Sequence, residues 1–439
     1  MQALILAGGK GSRMGLDIAK CSVDILDIPI INYVINSLDE VGISDINIVV
    51  GYKKDDIIKC TKHKYNYIVQ EQQLGTGNAV KIALDYIKDD VIIIPGDTLV
   101  LDSLDNFIRY HYENNNDFSI MSFEKENPSG YGRIIRGNDI DIVEDCYLKD
   151  KDIKECNSGI YITNKRVLLE HIYKIKINSK SEYYFTDIVK YLAGLKVGVF
   201  KQDNIYGVNT LHEVCLVNEI IKNKTNERLI NSFVYIVDKN NTYISPDCII
   251  EENTVIEPGC IIYHSRIGKG NKILANSRII NSVIGDDNKI ISSDISDSFI
   301  GRGNNIGPFS HLRNYANIGN FNRIGNYVEI KDSVIDSYTN ASHLAYIGNT
   351  DCGSGVNFGC GSITVNYDGK NKHKTVIKDK AFIGCNSNLI APVVIKENSF
   401  IAAGSTITND VEEDSLAIAR VRQINKDGYL RKKNPDDNV

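Results

Sequence analysis

An α/β domain followed by a parallel β-helix is the fold that this sequence predicts. Three observations predict it. The chain has 439 residues, more than one ordinary core serves, so two domains or more are expected. Residues 1–225 alternate short β-rich apolar runs with helical patterns. From Ile249 onward, aliphatic residues return every six positions.

The elements follow in order. "QALILA" (2–7), "INIVVGY" (46–52), "VIIIPGD" (91–97) and "DFSIMSF" (117–123) read as buried strands. Residues 29–42 and 77–89 carry helical spacing between them. Such β-α-β alternation implies a mainly parallel sheet with helices on both faces. Ligands of such sheets bind outside the carboxyl ends of the strands. Residues 211–235 read as a connecting helix, with apolar residues at helical spacing among many charges.

Beyond it, Ile249, Val255, Ile261, Ile267, Ile273 and Ile279 are each six apart. The phase slips by five into Ile284 and Ile290. It resumes at Ile300, Ile306, Leu312, Ile318, Ile324 and Ile330, and again at Ile377, Ile383, Leu389, Ile395, Ile401 and Ile407. A helix wants 3.6 and a strand 2, so a sustained six is the mark of hexapeptide β-helix repeats. No single turn buries its aliphatics alone; the stack makes one core. The stretch 363–377, "ITVNYDGKNKHKTVI", breaks the period. It reads as a loop lengthened on one face, carrying Asn366, Tyr367, Lys372 and Lys374 outward.

Composition limits the function. A formal net charge of −6 argues against non-specific nucleic-acid binding and against attraction to anionic membranes. No apolar run approaches the roughly 18 residues of a membrane span. "MQALILAGGKG" has no basic leader, so a soluble, cytoplasmic protein is expected. The ten cysteines include no C-x-x-C pair. They are expected to be buried or half-buried packers, without disulfides or zinc.

Two stretches carry chemistry. "LILAGGKGSRMG" (4–15) follows the first strand directly. Its glycines let backbone N–H groups approach an anion, and Lys10 and Arg13 add charge. The spacing matches neither G-x-G-x-x-G nor G-x-x-x-x-G-K-[ST]. A tight strand-to-helix turn is the plainer alternative. Asp97 ends the strand of "PGD" and is either a Mg²⁺ ligand or a turn aspartate. In 311–375, Arg313, Lys331, Lys372 and Lys374 accompany His343 and Tyr346. Cations around one histidine suit an anionic substrate that must lose a proton, since an ordinary imidazole titrates near pH ~6.5. A turn histidine with a satisfied hydrogen bond is the alternative.

"LILAGGKGSRMG", "LGTGNA" (74–79), "GYGRI" (130–134), "IVE" (142–144), "NSGIY" (157–161) and "YYFTD" (183–187) resemble the sugar-1-phosphate nucleotidyltransferases. Joined to the β-helix with "SHLAYIG" (342–348) and "VNYDGKNKHKT" (365–375), they resemble a more specific family. It is that of the bacterial bifunctional N-acetylglucosamine-1-phosphate uridyltransferases and glucosamine-1-phosphate acetyltransferases.

The resemblance implies a Rossmann-like nucleotidyltransferase domain over 1–210 and a helical linker over 211–240. It also implies a left-handed β-helix over 241–425 and a tail over 426–439. Leu6, Ala7, Gly8, Gly9, Lys10 and Gly11 would cradle UTP, with Arg13 and Lys20 offsetting phosphate charge. Gln70, Gly75 and Thr76 would hold the uracil, and Gly132, Glu144 and Asn157 the N-acetylglucosamine-1-phosphate. Asp97 and Asn209 would hold Mg²⁺.

In the β-helix His343 would be the general base. Arg313, Lys331 and Lys372 would hold the phosphate of glucosamine-1-phosphate, with Tyr346 and Asn357 on the sugar. Cys360, Asn366, Tyr367, Cys385, Ala403 and Arg420 would line the acetyl-CoA path, in a homotrimer. Four positions depart from the commoner family residues. Pro95 stands for an aromatic, Ala19 precedes Lys20 where proline is usual, Cys360 stands for alanine and Cys385 for serine. Nothing nearby marks either thiol as an activated nucleophile, but Cys385 is expected to be oxidation-sensitive. Two other functions compete: a single-activity nucleotidyltransferase with a structural β-helix, and a non-enzymatic scaffold. The first predicts loss of the segments around His343 and Lys372, the second loss of the charged residues, and all are present.

Overall fold

A computed structural model describes residues 1–433 except 138 and 149. It divides into two compact units, Met1–Ile221 and Lys222–Val439. The division falls inside the helix Leu211–Asn231. Of the expected tail, residues 429–433 form a short helix, and 434–439 lie outside the described residues. No helix among the described residues is long and apolar enough to cross a membrane.

The first unit is built on one sheet. Strands Gln2–Ala7, Ile46–Val50, Asn66–Val69 and Asp90–Pro95 are parallel neighbours. Every residue of Ile46–Val50 is buried, as a strand covered on both faces requires. The other half of the sheet is mixed: Val197–Lys201 runs parallel to Phe118–Glu124. Glu155–Asn164 runs antiparallel to both Asp90–Pro95 and Phe118–Glu124. The pairing with Phe118–Glu124 shifts register between Asn157 and Tyr161. That irregularity leaves Asn157 paired with Ser122 and takes residues 158–160 out of the ladder. The helical pattern at 77–89 is a helix over Thr76–Ala83, tightening into a 3₁₀ turn at Leu84–Tyr86.

The second unit is a coil of short parallel strands. One inward ladder runs Ile250, Ile267, Ile284, Ile300, Ile318, Ile335, Cys352, Ile377 and Ile395. A second face stacks Ile256, Ile273, Ile290, Ile306 and Ile324. The expected inward frame is wrong at its start. Ile249 is 46% exposed, whereas Ile250, Ile256 and Ile262 are the buried residues. Adjacent aliphatic pairs (Ile249–Ile250, Val255–Ile256, Ile261–Ile262) fit a period of six in either frame, so pattern alone does not choose. The two frames differ in energy. Ile330 is fully buried, and Ile330→Ala is expected to cost about 2–5 kcal/mol in denaturant unfolding. Ile249→Ala should stay within about 0.5 kcal/mol. Equal costs would reject the register.

Each turn takes positive φ at several corners, and one of these corners forms a regular series. It recurs at Gly259, Asn276, Ser292, Phe309, Tyr327, Leu344, Gly361, Asn386 and Gly404. Backbone bonds join successive corners: Gly361 N–H to Leu344 O at 2.7 Å, Asn386 N–H to Cys360 O at 2.8 Å and Gly404 N–H to Cys385 O at 2.8 Å. The residues just before each corner therefore stand in one file along the coil.

The interruption is a loop between strands Ile363–Val365 and Thr375–Ile377. Tyr367, Lys372 and Lys374 are exposed, as expected, but Asn366 is buried. Its amide donates to Asn349 Oδ1 at 2.6 Å, which ties down the base of the loop. The cysteine expectation also fails in part. Cys146, Cys215, Cys360 and Cys385 are exposed, and only Cys21, Cys156, Cys248, Cys260 and Cys352 are buried. All ten are free thiols.

Candidate active sites

The first site is a cleft of about 800 Å³ at the carboxyl ends of the parallel strands. Leu6, Ala7, Gly8, Gly9, Lys10, Gly11, Arg13, Lys20, Gln70, Gly75, Thr76, Asp97 and Asn209 all line it. Gln73 and Glu182 line it too, outside the quoted motifs, as does Tyr184 of "YYFTD".

Two glycines explain how the wall forms. Gly11 has φ +58°, and a β-carbon there would sit 2.7 Å from the Lys20 β-carbon. Gly75 has φ +94°, and a β-carbon would sit 2.6 Å from Tyr183 O. The chain closes on the latter because Tyr183 N–H donates to Leu74 O at 2.7 Å and Gly77 N–H to Tyr183 O at 2.8 Å. The Phe185 N–H reaches Thr76 Oγ1 at 3.0 Å. Gln70 is buried and donates to Gly75 O at 3.1 Å and to Asn78 Oδ1 at 2.9 Å.

At the floor, the Lys20 ammonium bridges Asp97 and Asn209. It pairs with the Asp97 carboxylate and donates to Asn209 Oδ1 at 2.7 Å. Two hard oxygens, one anionic, thus converge on a single cation. That donor set fits Mg²⁺, which takes one or two protein oxygens and fills its remaining positions with water and phosphate.

Gly132, Glu144 and Asn157 do not line this cleft; they form a cluster of their own. Asn157 N–H donates to Gly132 O at 2.9 Å. A β-carbon on Gly132 would lie 3.6 Å from Glu144 Oε1. Glu144 accepts from Thr186 Oγ1 at 3.0 Å. Burial raises its carboxyl above the usual range, and the Thr186 bond opposes this. The cluster sits one step from the cleft wall. Gly159, two residues past Asn157, packs so closely on Pro95 that a β-carbon there would lie 2.9 Å from Pro95 Cγ.

The second site lies on the β-helix. His343 is exposed beside a corner, and its Nδ1 lies 2.9 Å from Asn326 Oδ1. The amide oxygen can only accept, so Nδ1 carries the proton and Nε2 is left with its lone pair. Asn326 is directly opposite His343 in the ladder, one turn earlier. The motifs do not reveal it; the seventeen-residue turn length would.

Arg313 and Lys331 are ladder partners on neighbouring turns. Arg313 donates to Glu329 Oε1 at 2.9 and 2.6 Å. The positive charges of Arg313 and Lys372 push the Lys331 ammonium below its usual range. Three cations are thus held close enough to repel, a field that an anion relieves. The Tyr346 hydroxyl lies over Gly348, 2.5 Å from where a β-carbon would stand. Asn357 pairs with Asn340, three residues before His343.

The file before the corners runs Asn326, His343, Cys360, Cys385 and Ala403. Arg420 joins it from beyond, donating from Nη1 to Ala403 O at 2.8 Å. The one edge therefore carries the histidine and four of the six residues expected on the acyl-donor side. Asn366 and Tyr367 stand apart, at the base and on the surface of the loop.

Comparison with known proteins covers both units. The family model described as "Nucleotidyl transferase" matches residues 2–204. The model "Bacterial transferase hexapeptide (six repeats)" matches residues 374–409. The "Bifunctional protein GlmU" of Clostridium acetobutylicum is 42% identical over 448 residues, 98% of each chain. That of Clostridioides difficile is 41% identical over 452 residues, 99% of this chain and 98% of the relative. That of Thermoanaerobacter pseudethanolicus is 42% identical over 456 residues, 98% and 97% of the two chains.

Proposed function

The chain belongs to the family of the bifunctional GlmU proteins, and on that premise we propose how its two sites divide the chemistry. It is an enzyme of UDP-N-acetylglucosamine synthesis with an acetyltransferase and a uridyltransferase activity. The first moves acetyl from acetyl-CoA to glucosamine-1-phosphate, the second moves uridylyl from UTP to the product. The nucleotide sugar feeds peptidoglycan and other envelope glycans. The observation that carries this is the identity of 42% across 98% of both chains, which leaves neither unit unmatched.

In the acetyl transfer, the amine of glucosamine-1-phosphate attacks the thioester carbonyl and the CoA thiolate leaves. His343 Nε2 takes the amine proton, and Asn326 holds the tautomer that frees it. Arg313, Lys331 and Lys372 bind the sugar phosphate, with Tyr346 and Asn357 on the ring. Cys360, Asn366, Tyr367, Cys385, Ala403 and Arg420 bound the acetyl-CoA path. The exposed loop at 367–374 and a site open on one face suit a groove shared with a neighbouring coil, hence a homotrimer.

In the uridylyl transfer, an oxygen of N-acetylglucosamine-1-phosphate attacks the α-phosphorus of UTP and pyrophosphate leaves. Positioning and charge neutralisation supply most of such catalysis. The loop 6–11 cradles the triphosphate with Lys10 and Arg13. Gln70, Gly75 and Thr76 hold the uracil, and Gly132, Glu144 and Asn157 the sugar. Asp97 and Asn209 would hold Mg²⁺, which when bound neutralises phosphate charge. Lys20 would offset phosphate charge beside them. Both nucleotide and acyl donor are cytoplasmic metabolites, which supports a cytoplasmic enzyme.

The test is an assay of both half-reactions. CoA thiol should appear with glucosamine-1-phosphate and acetyl-CoA. Pyrophosphate should appear with N-acetylglucosamine-1-phosphate and UTP, against ATP and dTTP in competition. Pyrophosphate without CoA release would leave a single-activity nucleotidyltransferase.

A further inference from the structure

Cys360 and Cys385 are the only cysteines in the corner file, and they are consecutive members of it. Both are exposed. Both precede a residue of positive φ, Gly361 at +76° and Asn386 at +54°, and they hold equivalent positions on consecutive turns, whose strands pair Phe358 with Ile383. The turns they occupy are in direct backbone contact. Gly359 N–H donates to Ile383 O at 2.7 Å, and Asn386 N–H to Cys360 O at 2.8 Å. A β-carbon on Gly359 would lie 2.9 Å from the Cys385 α-carbon, which shows how tightly the two corners stack.

Neighbouring strands stand about 4.7–4.9 Å apart. A disulfide accepts Cα separations of about 4.4–6.8 Å and asks for Cβ separations of about 3.5–4.5 Å. In-register neighbours at that strand spacing fall within the first range. The second needs the two β-carbons to lean together by a few tenths of an ångström, which exposed corner residues can do.

We propose that Cys360 and Cys385 form a reversible disulfide that shuts the acetyl-transfer site under oxidising conditions. The proposal rests on the reading of this file as the acetyl-CoA path. The chemistry is exchange with a low-molecular-weight disulfide. One cysteine thiolate attacks a sulfur of that disulfide and releases the first small thiol. The other thiolate attacks the mixed disulfide and releases the second. Two cysteine protons are lost, one S–S bond is broken and one is formed, and the small disulfide is reduced to two thiols. The joined sulfurs then bridge two turns where the acyl donor has to lie. Cys146 and Cys215 belong to the other unit and Cys352 is buried in an inward ladder, so the pairing is specific.

The experiment oxidises the reduced full-length enzyme with glutathione disulfide, maps its peptides without reduction, and assays both half-reactions. The expected result is a peptide pair joined through Cys360 and Cys385 and loss of most acetyl transfer. Dithiothreitol should restore that activity, and pyrophosphate release should stay unchanged throughout. Cys360→Ser, compared with its own reduced state, should keep a glutathione on Cys385 and show no cross-link. Glutathione adducts on both cysteines of the wild type, or a link to any other cysteine, would overturn the pairing alone. A Cys360–Cys385 link with acetyl transfer intact would overturn the switch together with the acetyl-CoA reading of the file.

Discussion

His343→Ala is expected to lower acetyl transfer by roughly 10²–10⁴-fold and to leave uridylyl transfer unchanged. The size follows from what the imidazole does. An amine that attacks a thioester must shed a proton, and removal of a positioned base returns that step to water. The selectivity follows from the fold, because His343 sits on an exposed corner of the β-helix and no inward ladder depends on it. Asn326→Ala separates positioning from proton transfer. The hydrogen bond from Nδ1 to Asn326 is the one that sets the tautomer. Without it the proton is free to sit on either nitrogen, so kcat should fall while KM for glucosamine-1-phosphate holds. A raised KM with kcat unchanged would make Asn326 a substrate contact instead. Wild-type acetyl transfer in His343→Ala would remove the proposed base altogether.

These residues also show what pattern reading reaches. The period of six was legible because every turn repeats the same burial demand, and stacked isoleucines meet it turn after turn. Its frame was not legible where two adjacent residues are both aliphatic, since burial of either one satisfies the period. Glycines of the nucleotide loop were legible because Gly11 takes a conformation and a contact that a side chain would forbid. Asn326 was not, because its role depends on a neighbour one full turn away and on no motif. Asn366 was placed wrongly for a related reason. A polar residue in a loop suggests solvent, but its partner Asn349 belongs to the preceding turn and draws it inside. The site along the corner file shares this property: its members are close in space because the coil repeats, and far apart in sequence because each turn costs about seventeen residues or more.

Asp97 offers the sharpest division between a structural and a metal-holding role. Asp97→Asn keeps the shape and removes the charge, and it is expected to cut uridylyl transfer by roughly 10²–10³-fold, the scale of losing one electrostatic stabiliser of a developing charge. Acetyl transfer should not change. A structural ion pair with Lys20 predicts something different: a lower melting temperature, shared equally by Lys20→Gln. Direct binding of Mn²⁺ to the nucleotide-free enzyme, followed by its paramagnetic resonance, separates the two. The ammonium of Lys20 rests on the same two oxygens that would hold the ion. If those oxygens are ligands, lysine and metal compete, and the two variants must move in opposite directions. Asp97→Asn should weaken Mn²⁺ binding by removing the anionic ligand, and Lys20→Gln should strengthen it by removing the competing cation. Equal falls in melting temperature with Mn²⁺ binding unmoved in both would return Asp97 to the role of a turn aspartate with a lysine partner. Opposite shifts would make Lys20 the residue that holds the site together until nucleotide and metal arrive, and would explain why a lysine so close to the metal position is compatible with a cation there.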